Sequence, residues 1–141
     1  MAQLDNEALI RESIDAFNAN DMQRWGATVT ENTIYNGLGT QRSIEGRDAV
    51  IEALQGWKCA FPDAIGTITN VVSADNQVAF ELTWTGTHTG DLVGAQGTIP
   101  ATGKNVDLQA TQIATIKDGQ IIELHHYFDM GTLLQQIGAG Q

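Results

Sequence analysis

Val106 to Asp129 reads VDLQATQIATIKDGQIIELHHYFD, and this stretch decides the fold. Val106 to Ile116 is a strand-like run. Lys117-Asp118-Gly119-Gln120 follows as a turn, because Asp-Gly accepts the left-handed backbone that a tight hairpin needs. Ile121 to Asp129 runs back as a second strand. Side chains two apart share a strand face, so Leu124, His126 and Phe128 sit together, with Glu123, His125 and Tyr127 opposite. The adjacent histidines therefore send one imidazole to each side of the sheet. A histidine on the apolar side of a long, curved hairpin is placed for proton transfer in a pocket. The same position suits a buried, hydrogen-bonded core histidine, and on spacing alone the core role is the commoner one.

Working outward, the chain runs helices first and strands later. Leu9, Ile10, Ile14 and Phe17 recur at helical spacing, so Asp5 to Asn18 is predicted as an amphipathic helix with Asp5 as its N-cap. Asn20-Asp21 opens a second short helix carrying Met22, Trp25 and Val29. Thr33 to Asn36 reads as a short strand ended by Gly37 and Gly39. A third helix spans Arg47 to Trp57, with Val50, Ile51, Leu54 and Trp57 on one side. Strands follow at Ala64 to Ser73 and Gln77 to His88, joined by the Ala74-Asp75-Asn76 turn. Met130 to Ile137 closes the chain as a short helix, for which Asp129 is placed first as a cap, with a catalytic carboxylate as the alternative. Three helices followed by long antiparallel strands is an α+β order, with the helices gathered on one face of a sheet. A strongly curved sheet closed by helices makes a conical cavity, a natural ligand site.

Composition narrows the partners. A chain of 141 residues with 42% hydrophobic content fits one domain, residues 1–141, with a substantial core. The net charge of −10, with seven Lys and Arg, argues against nucleic acid and against anionic membrane surfaces. No apolar run approaches the ~20 residues that span a bilayer. The first residues lack the basic-then-apolar order of a signal peptide. The single cysteine, Cys59, fits a reducing, cytoplasmic compartment and reads as a small apolar filler.

A family resemblance rests on several segments in order. They are Ile44-Glu45-Gly46-Arg47-Asp48-Ala49-Val50, Trp84-Thr85-Gly86-Thr87-His88-Thr89-Gly90 and Pro100-Ala101-Thr102-Gly103-Lys104. Asp118 to Glu123, Phe128-Asp129 and Leu133-Leu134-Gln135-Gln136-Ile137-Gly138 complete the set. Each is weak alone; their order and spacing cover most of the chain. In this respect the sequence resembles the nuclear transport factor 2-like superfamily, and within it the SnoaL-like polyketide cyclases, or ester cyclases. The resemblance implies an NTF2-like cone: a strongly curved antiparallel sheet with three N-terminal helices enclosing a pocket. It also implies a dimer, no metal and no organic cofactor. Cyclases of this family close a ring in an aromatic polyketide ester by intramolecular aldol condensation. An aspartate in the last strand is their acid/base group, helped by a histidine in the preceding strand. Those two positions fall on His126 and Gln112 here.

The chain thus departs from the cyclase pattern at both positions. An imidazole near its free pKa of ~6.5 exchanges protons at neutral pH. A glutamine donates a hydrogen bond to a developing oxyanion but cannot shuttle a proton. Steroid-isomerase relatives match less well: their base and oxyanion positions fall on Asn36, Ser13 and Gln112, and Asn36 cannot be a base. Catalytic roles are therefore expected of His126 and Gln112. Binding roles toward a small hydrophobic molecule are expected of Phe17, Trp25, Tyr35, Asn36, Trp57, Phe61, Phe80, Leu82, Trp84, Leu124 and Phe128, which are equally what a core needs. His88, in a loop of small residues, either turns to the pocket mouth or bonds a threonine at a strand end. Two functions stand open: an acid/base enzyme acting on a small hydrophobic carbonyl compound, and a non-catalytic binding protein using the same cone. A homodimer is expected through the outward sheet face carrying Ile113, Thr115, Ile122 and Tyr127.

Overall fold

Two strands far apart in sequence lie side by side and close the large sheet. A computed structural model describes residues 2–38, 42–94 and 97–138, with side chains from residue 5 onward. Its helices are α1 (Ala2–Asn18), α2 (Met22–Gly26), α3 (Arg47–Ala60) and α4 (Met130–Gln136). Its strands are β1 (Val29–Gly37), β2 (Arg42–Glu45), β3 (Ile65–Ala74), β4 (Gln77–Thr87), β5 (Leu92–Gly94), β6 (Gly97–Ile99), β7 (Asn105–Lys117) and β8 (Gln120–Phe128). Six strands form one sheet in the order β2-β1-β8-β7-β4-β3, and β5 pairs with β6 alone. The fold is α+β, as expected. The sheet is mixed rather than wholly antiparallel, because β1 runs parallel to β8.

The hairpin forms as its sequence directs. Asp118 and Gly119 both take positive φ, 52° and 76°, the geometry that a tight two-residue turn requires. Along β7 burial alternates strictly: Val106, Leu108, Ala110, Gln112, Ala114 and Ile116 are buried, and the residues between them are not. In β8 the alternation slips once. Ile116 pairs with Ile121 while Thr115 pairs with Glu123, so Ile122 is an extra residue in the strand. This bulge bends the strand and lets both Ile121 and Leu124 face inward. Beyond it Leu124 and His126 point in, and His125 and Tyr127 point out, as predicted. Further register shifts lie between Ile68 and Asn70 in β3 and between Val29 and Ile34 in β1, and add to the curvature.

Helices cover the inner face. Ile10, Ile14 and Phe17 bury one side of α1. Asn18 at its end brackets the backbone of Gly66, donating to the carbonyl at 3.0 Å and accepting from the amide at 2.8 Å. Phe80, Leu82 and Ile121 are fully buried, each worth about 1.5–3 kcal/mol of apolar burial. Asp21 caps α2 by accepting from the Arg24 amide, and Asp129 caps α4 by accepting from the Gly131 amide at 3.0 Å and the Thr132 hydroxyl at 2.7 Å. Those bonds hold the Asp129 carboxyl below its ordinary range.

Several boundaries differ from the sequence reading. Asp5 lies in the first turn of α1, not at its cap. Val29 begins β1 instead of ending a helix, and β2, β5 and β6 were not expected. The third helix runs three residues further, to Ala60. Gly37 is the last residue of β1; Gly39 lies outside the described residues. Cys59 is exposed on α3 rather than filling the core. Among the described residues no helix is long and apolar enough to cross a membrane.

Candidate functional site

The cavity between helices and sheet is walled almost entirely by apolar side chains. Phe17 comes from α1, Trp25 from α2, Trp57 from α3, and Phe61 follows α3. Leu108 of β7 and Leu124 and Phe128 of β8 line it from the sheet. Its free volume is about 100 Å³, several times the roughly 10–15 Å³ that one water needs on the same measure. The aromatic rings meet edge-on: Phe17 and Trp84 at 5.2 Å between centroids, Trp57 and Phe128 at 6.1 Å. Lys58 supports the wall from behind. Its ammonium donates to the Ala64 carbonyl at 2.7 Å and lies 4.5 Å over the Phe17 ring, and burial lowers its pKa.

One polar strip crosses this wall. His126 is 8% exposed and both ring nitrogens have partners. The Tyr35 hydroxyl is 2.7 Å from Nδ1, and the Trp84 indole N–H donates to Nε2 at 3.1 Å. Tyr35 reaches His126 because β1 lies beside β8, with Tyr35 opposite Leu124. Trp84 reaches it from β4, across the intervening β7. Gln112 on β7 is the direct cross-strand partner of His126 and is buried. Its carboxamide lines the cavity and makes no hydrogen bond among the described residues, so its donor and acceptor remain available to a ligand.

Burial sets the charge state of the strip. Desolvation pushes the His126 pKa down from 6.5 to about 4, so the imidazole is neutral at pH 7. Burial raises the Tyr35 pKa above its usual 10, so the phenol keeps its proton. No lining residue carries a carboxylate, an ammonium or a guanidinium. The lining is thus uncharged and mostly apolar, with its donors and acceptors concentrated along this strip. Among the described residues no group of three His, Cys, Asp or Glu side chains is placed to hold a metal ion.

Of the residues expected at the site, His126, Gln112, Phe17, Trp25, Tyr35, Trp57, Phe61, Trp84, Leu124 and Phe128 line this cavity. Four lie elsewhere. Asn36 has the opposite parity to Tyr35 and donates to Glu123 Oε2 at 3.2 Å on the outer face, where His125 also meets that carboxylate. Phe80 and Leu82 share the Trp84 face but sit further along β4 in closed core. His88 is fully buried against Phe61 and does not line the cavity; its Nδ1 accepts from the Thr102 amide. The cavity also takes residues that alternation and aromaticity did not single out, among them Leu54, Val106 and Leu133. Leu54 lies on the apolar side predicted for its helix, and no chemical feature sets any of the three apart.

The sequence matches the SnoaL-like polyketide cyclase family over residues 7–137. The chain belongs to that family. Solved structures of SnoaL-like relatives share its fold. A SnoaL-like protein of Jannaschia sp. CCS1 is 21% identical, with a TM-score of 0.87 over 97% of this chain and 94% of its own. IdmH of Streptomyces antibioticus, named as a candidate polyketide cyclase, is 23% identical, with a TM-score of 0.81 over 94% and 98%. A protein of Catenulispora acidiphila with a ketosteroid isomerase-like fold, solved with trimethylamine, is 14% identical, with a TM-score of 0.78 over 92% of each chain. No curated protein sequence matches this SnoaL-like chain.

Proposed function

We propose that this SnoaL-like protein takes a small, uncharged, hydrophobic carbonyl compound into the cone and carries out acid/base chemistry on it without metal or cofactor. The reaction class is an aldol-type ring closure or a related isomerase or lyase step. The observation that carries this reading is the neutral strip of Tyr35, His126 and Gln112 within a mostly apolar cavity. Negative charge that develops on a carbonyl oxygen there meets fixed hydrogen-bond donors in a dry site, where they act strongly. His126 is the proton carrier of the strip, and Gln112 is its polar stabiliser. The name given to IdmH, a candidate polyketide cyclase, agrees with this chemistry.

A second reading is favoured by a specific observation. Both nitrogens of His126 are already engaged and no charged group lines the cavity, which also suits a non-catalytic protein that holds such a ligand. Incubating the purified protein with a panel of polyketide esters and small cyclic ketones separates the two. The enzyme reading expects conversion of at least one member, followed by mass spectrometry. Tight stoichiometric binding with no conversion leaves the binding protein.

The proposal extends to assembly and place. The outer sheet face carries half-buried Ile113, Thr115 and Ile122 beside Tyr127, which is 42% exposed. We infer a homodimer through this face, since a monomer seldom leaves such a patch open. Light scattering at micromolar concentration is expected to give twice the 15.2 kDa chain mass; a monomer mass rejects it. A cytoplasmic location goes with the lone cysteine.

A further inference from the structure

We propose that Trp84 is a positioning residue: its indole N–H fixes the tautomer of His126, and thereby makes the Tyr35 hydroxyl the donor that meets the ligand oxygen. The last step rests on the ligand reading above; the role of Trp84 in orienting the imidazole does not.

The argument is one of donors and acceptors. An indole nitrogen donates and cannot accept. Its 3.1 Å bond to Nε2 therefore requires a lone pair on that nitrogen. A neutral imidazole carries one N–H, so the proton sits on Nδ1. Nδ1 then donates to the Tyr35 oxygen at 2.7 Å. The phenol has its acceptor role filled and its own hydrogen left over. Tyr35 is buried, lines the cavity and has no other side-chain hydrogen bond among the described residues. Its hydrogen is thus available to the cavity, which Gln112 also lines. The chain runs in one direction, from Trp84 through His126 to Tyr35 to ligand oxygen, and each bond polarises the next.

The same geometry opposes an imidazolium in the resting protein, so a proton that His126 takes up during the proposed chemistry is held only transiently, at the cost of the Trp84 bond. Protonating Nε2 would set two N–H groups against each other at 3.1 Å. The groups packed around the ring are Tyr35 from β1, Trp84 from β4, Gln112 from β7 and Phe128 from β8, and none is charged.

The fold holds the indole in place from its far side. Gly66 on β3 is the cross-strand partner of Trp84, and the ring lies against its backbone. A Cβ on Gly66 would stand 2.6 Å from one ring carbon and 3.0 Å from two others. Asn18 pins the Gly66 peptide from both sides. Phe17 packs edge-on against the indole at 5.2 Å. A glycine at 66 is what permits this seat.

The test is nitrogen NMR of the histidine rings with Trp84→Phe and Gly66→Ala. In the parent, His126 is expected as the Nδ1–H tautomer, titrating well below 6.5. Trp84→Phe keeps an apolar ring and removes the donor. It is expected to mix the tautomers and raise the His126 pKa by at least one unit. Gly66→Ala, which displaces the indole without deleting it, is expected to shift both in the same direction. A parent in the Nε2–H form, or variants with tautomer and pKa unchanged, overturns the role of Trp84.

Ligand binding tests the last step with acetophenone and ethylbenzene, similar in shape but with and without the oxygen. The parent is expected to prefer acetophenone by about 3- to 10-fold, the worth of one hydrogen bond. Tyr35→Phe and Trp84→Phe are expected to lose that preference while still binding ethylbenzene. An undiminished preference in Tyr35→Phe rejects the tyrosine as donor. A parent that binds neither compound rejects the ligand reading, and the NMR result decides the role of Trp84 on its own.

Discussion

Under the acid/base reading proposed above, His126→Ala is expected to lower turnover about 10²- to 10⁴-fold on the substrate, the usual worth of a positioned proton-transfer group. Gln112→Ala is expected to cost less, because it removes a hydrogen bond and no proton carrier. The histidine variant also carries a signature in stability. It leaves the Tyr35 hydroxyl and the Trp84 N–H without their partner, at about 1–3 kcal/mol for each group that stays buried and unpaired. The pH dependence follows from the lowered pKa. Above pH 6.5 the imidazole is neutral whether the chain is folded or not. Between 6.5 and about 4 the unfolded chain takes up a proton that the folded chain refuses. Parent stability therefore falls as pH falls through this window, by up to about 3 kcal/mol from this group. Carboxylates common to both proteins cancel in the difference. The gap between parent and His126→Ala should thus be widest at pH 7 and narrow toward pH 4 in urea unfolding. Parallel curves would show that the buried imidazole does not titrate as the geometry requires.

Gly90→Ala is expected to be severely damaging, costing about 3 kcal/mol or more. A Cβ there would stand 1.9 Å from the Cys59 carbonyl oxygen and 2.9 Å from its carbon. Both are backbone atoms at the end of α3 and cannot swing away. Gly90 also donates its amide to the Ala60 carbonyl at 3.1 Å, so retreat breaks that bond. The helix end that would shift carries Trp57 and leads to Phe61, both on the cavity wall. Gly56, one turn earlier in α3, is the control. Nothing lies within 4 Å of its missing Cβ, and alanine there should add up to about 1 kcal/mol through helix propensity. Urea midpoints of the two variants moving in the same direction would contradict this account.

The parts of the fold that sequence makes legible are those governed by neighbours along the chain. The hairpin could be read because Asp118-Gly119 supplies its own turn and β7 alternates without a break. The start of β1 was hidden, since Thr30 to Asn32 are polar and look like loop. β2, β5 and β6 are three or four residues long, too short for a period to show. The parallel pairing of β1 with β8 leaves no local mark at all. The site follows the same division. Alternation placed His126 on the inner face; applied to the first strand as well, it would have sent Tyr35 inward and Asn36 outward. It could not show that Tyr35 and Trp84 converge on one imidazole, because that depends on which strands become neighbours. Phe80 and Leu82 share parity with Trp84, and only their position along β4 separates core from cavity.

The adjacency of β1 and β8 also has a consequence for the order in which the molecule assembles. Tyr35 and His126, joined by one hydrogen bond, are 91 residues apart. Until the C-terminal hairpin exists, β1 has no partner on its β8 edge and the cone has no closed wall. Long-range pairing of this kind exacts its loop entropy before any contact repays it, which slows folding. During synthesis, helices α1 to α3 and the first strands must therefore wait with their apolar faces open while the last quarter of the chain is made. The cavity is thus the last part of the protein to come into being, and a truncated or stalled chain should aggregate.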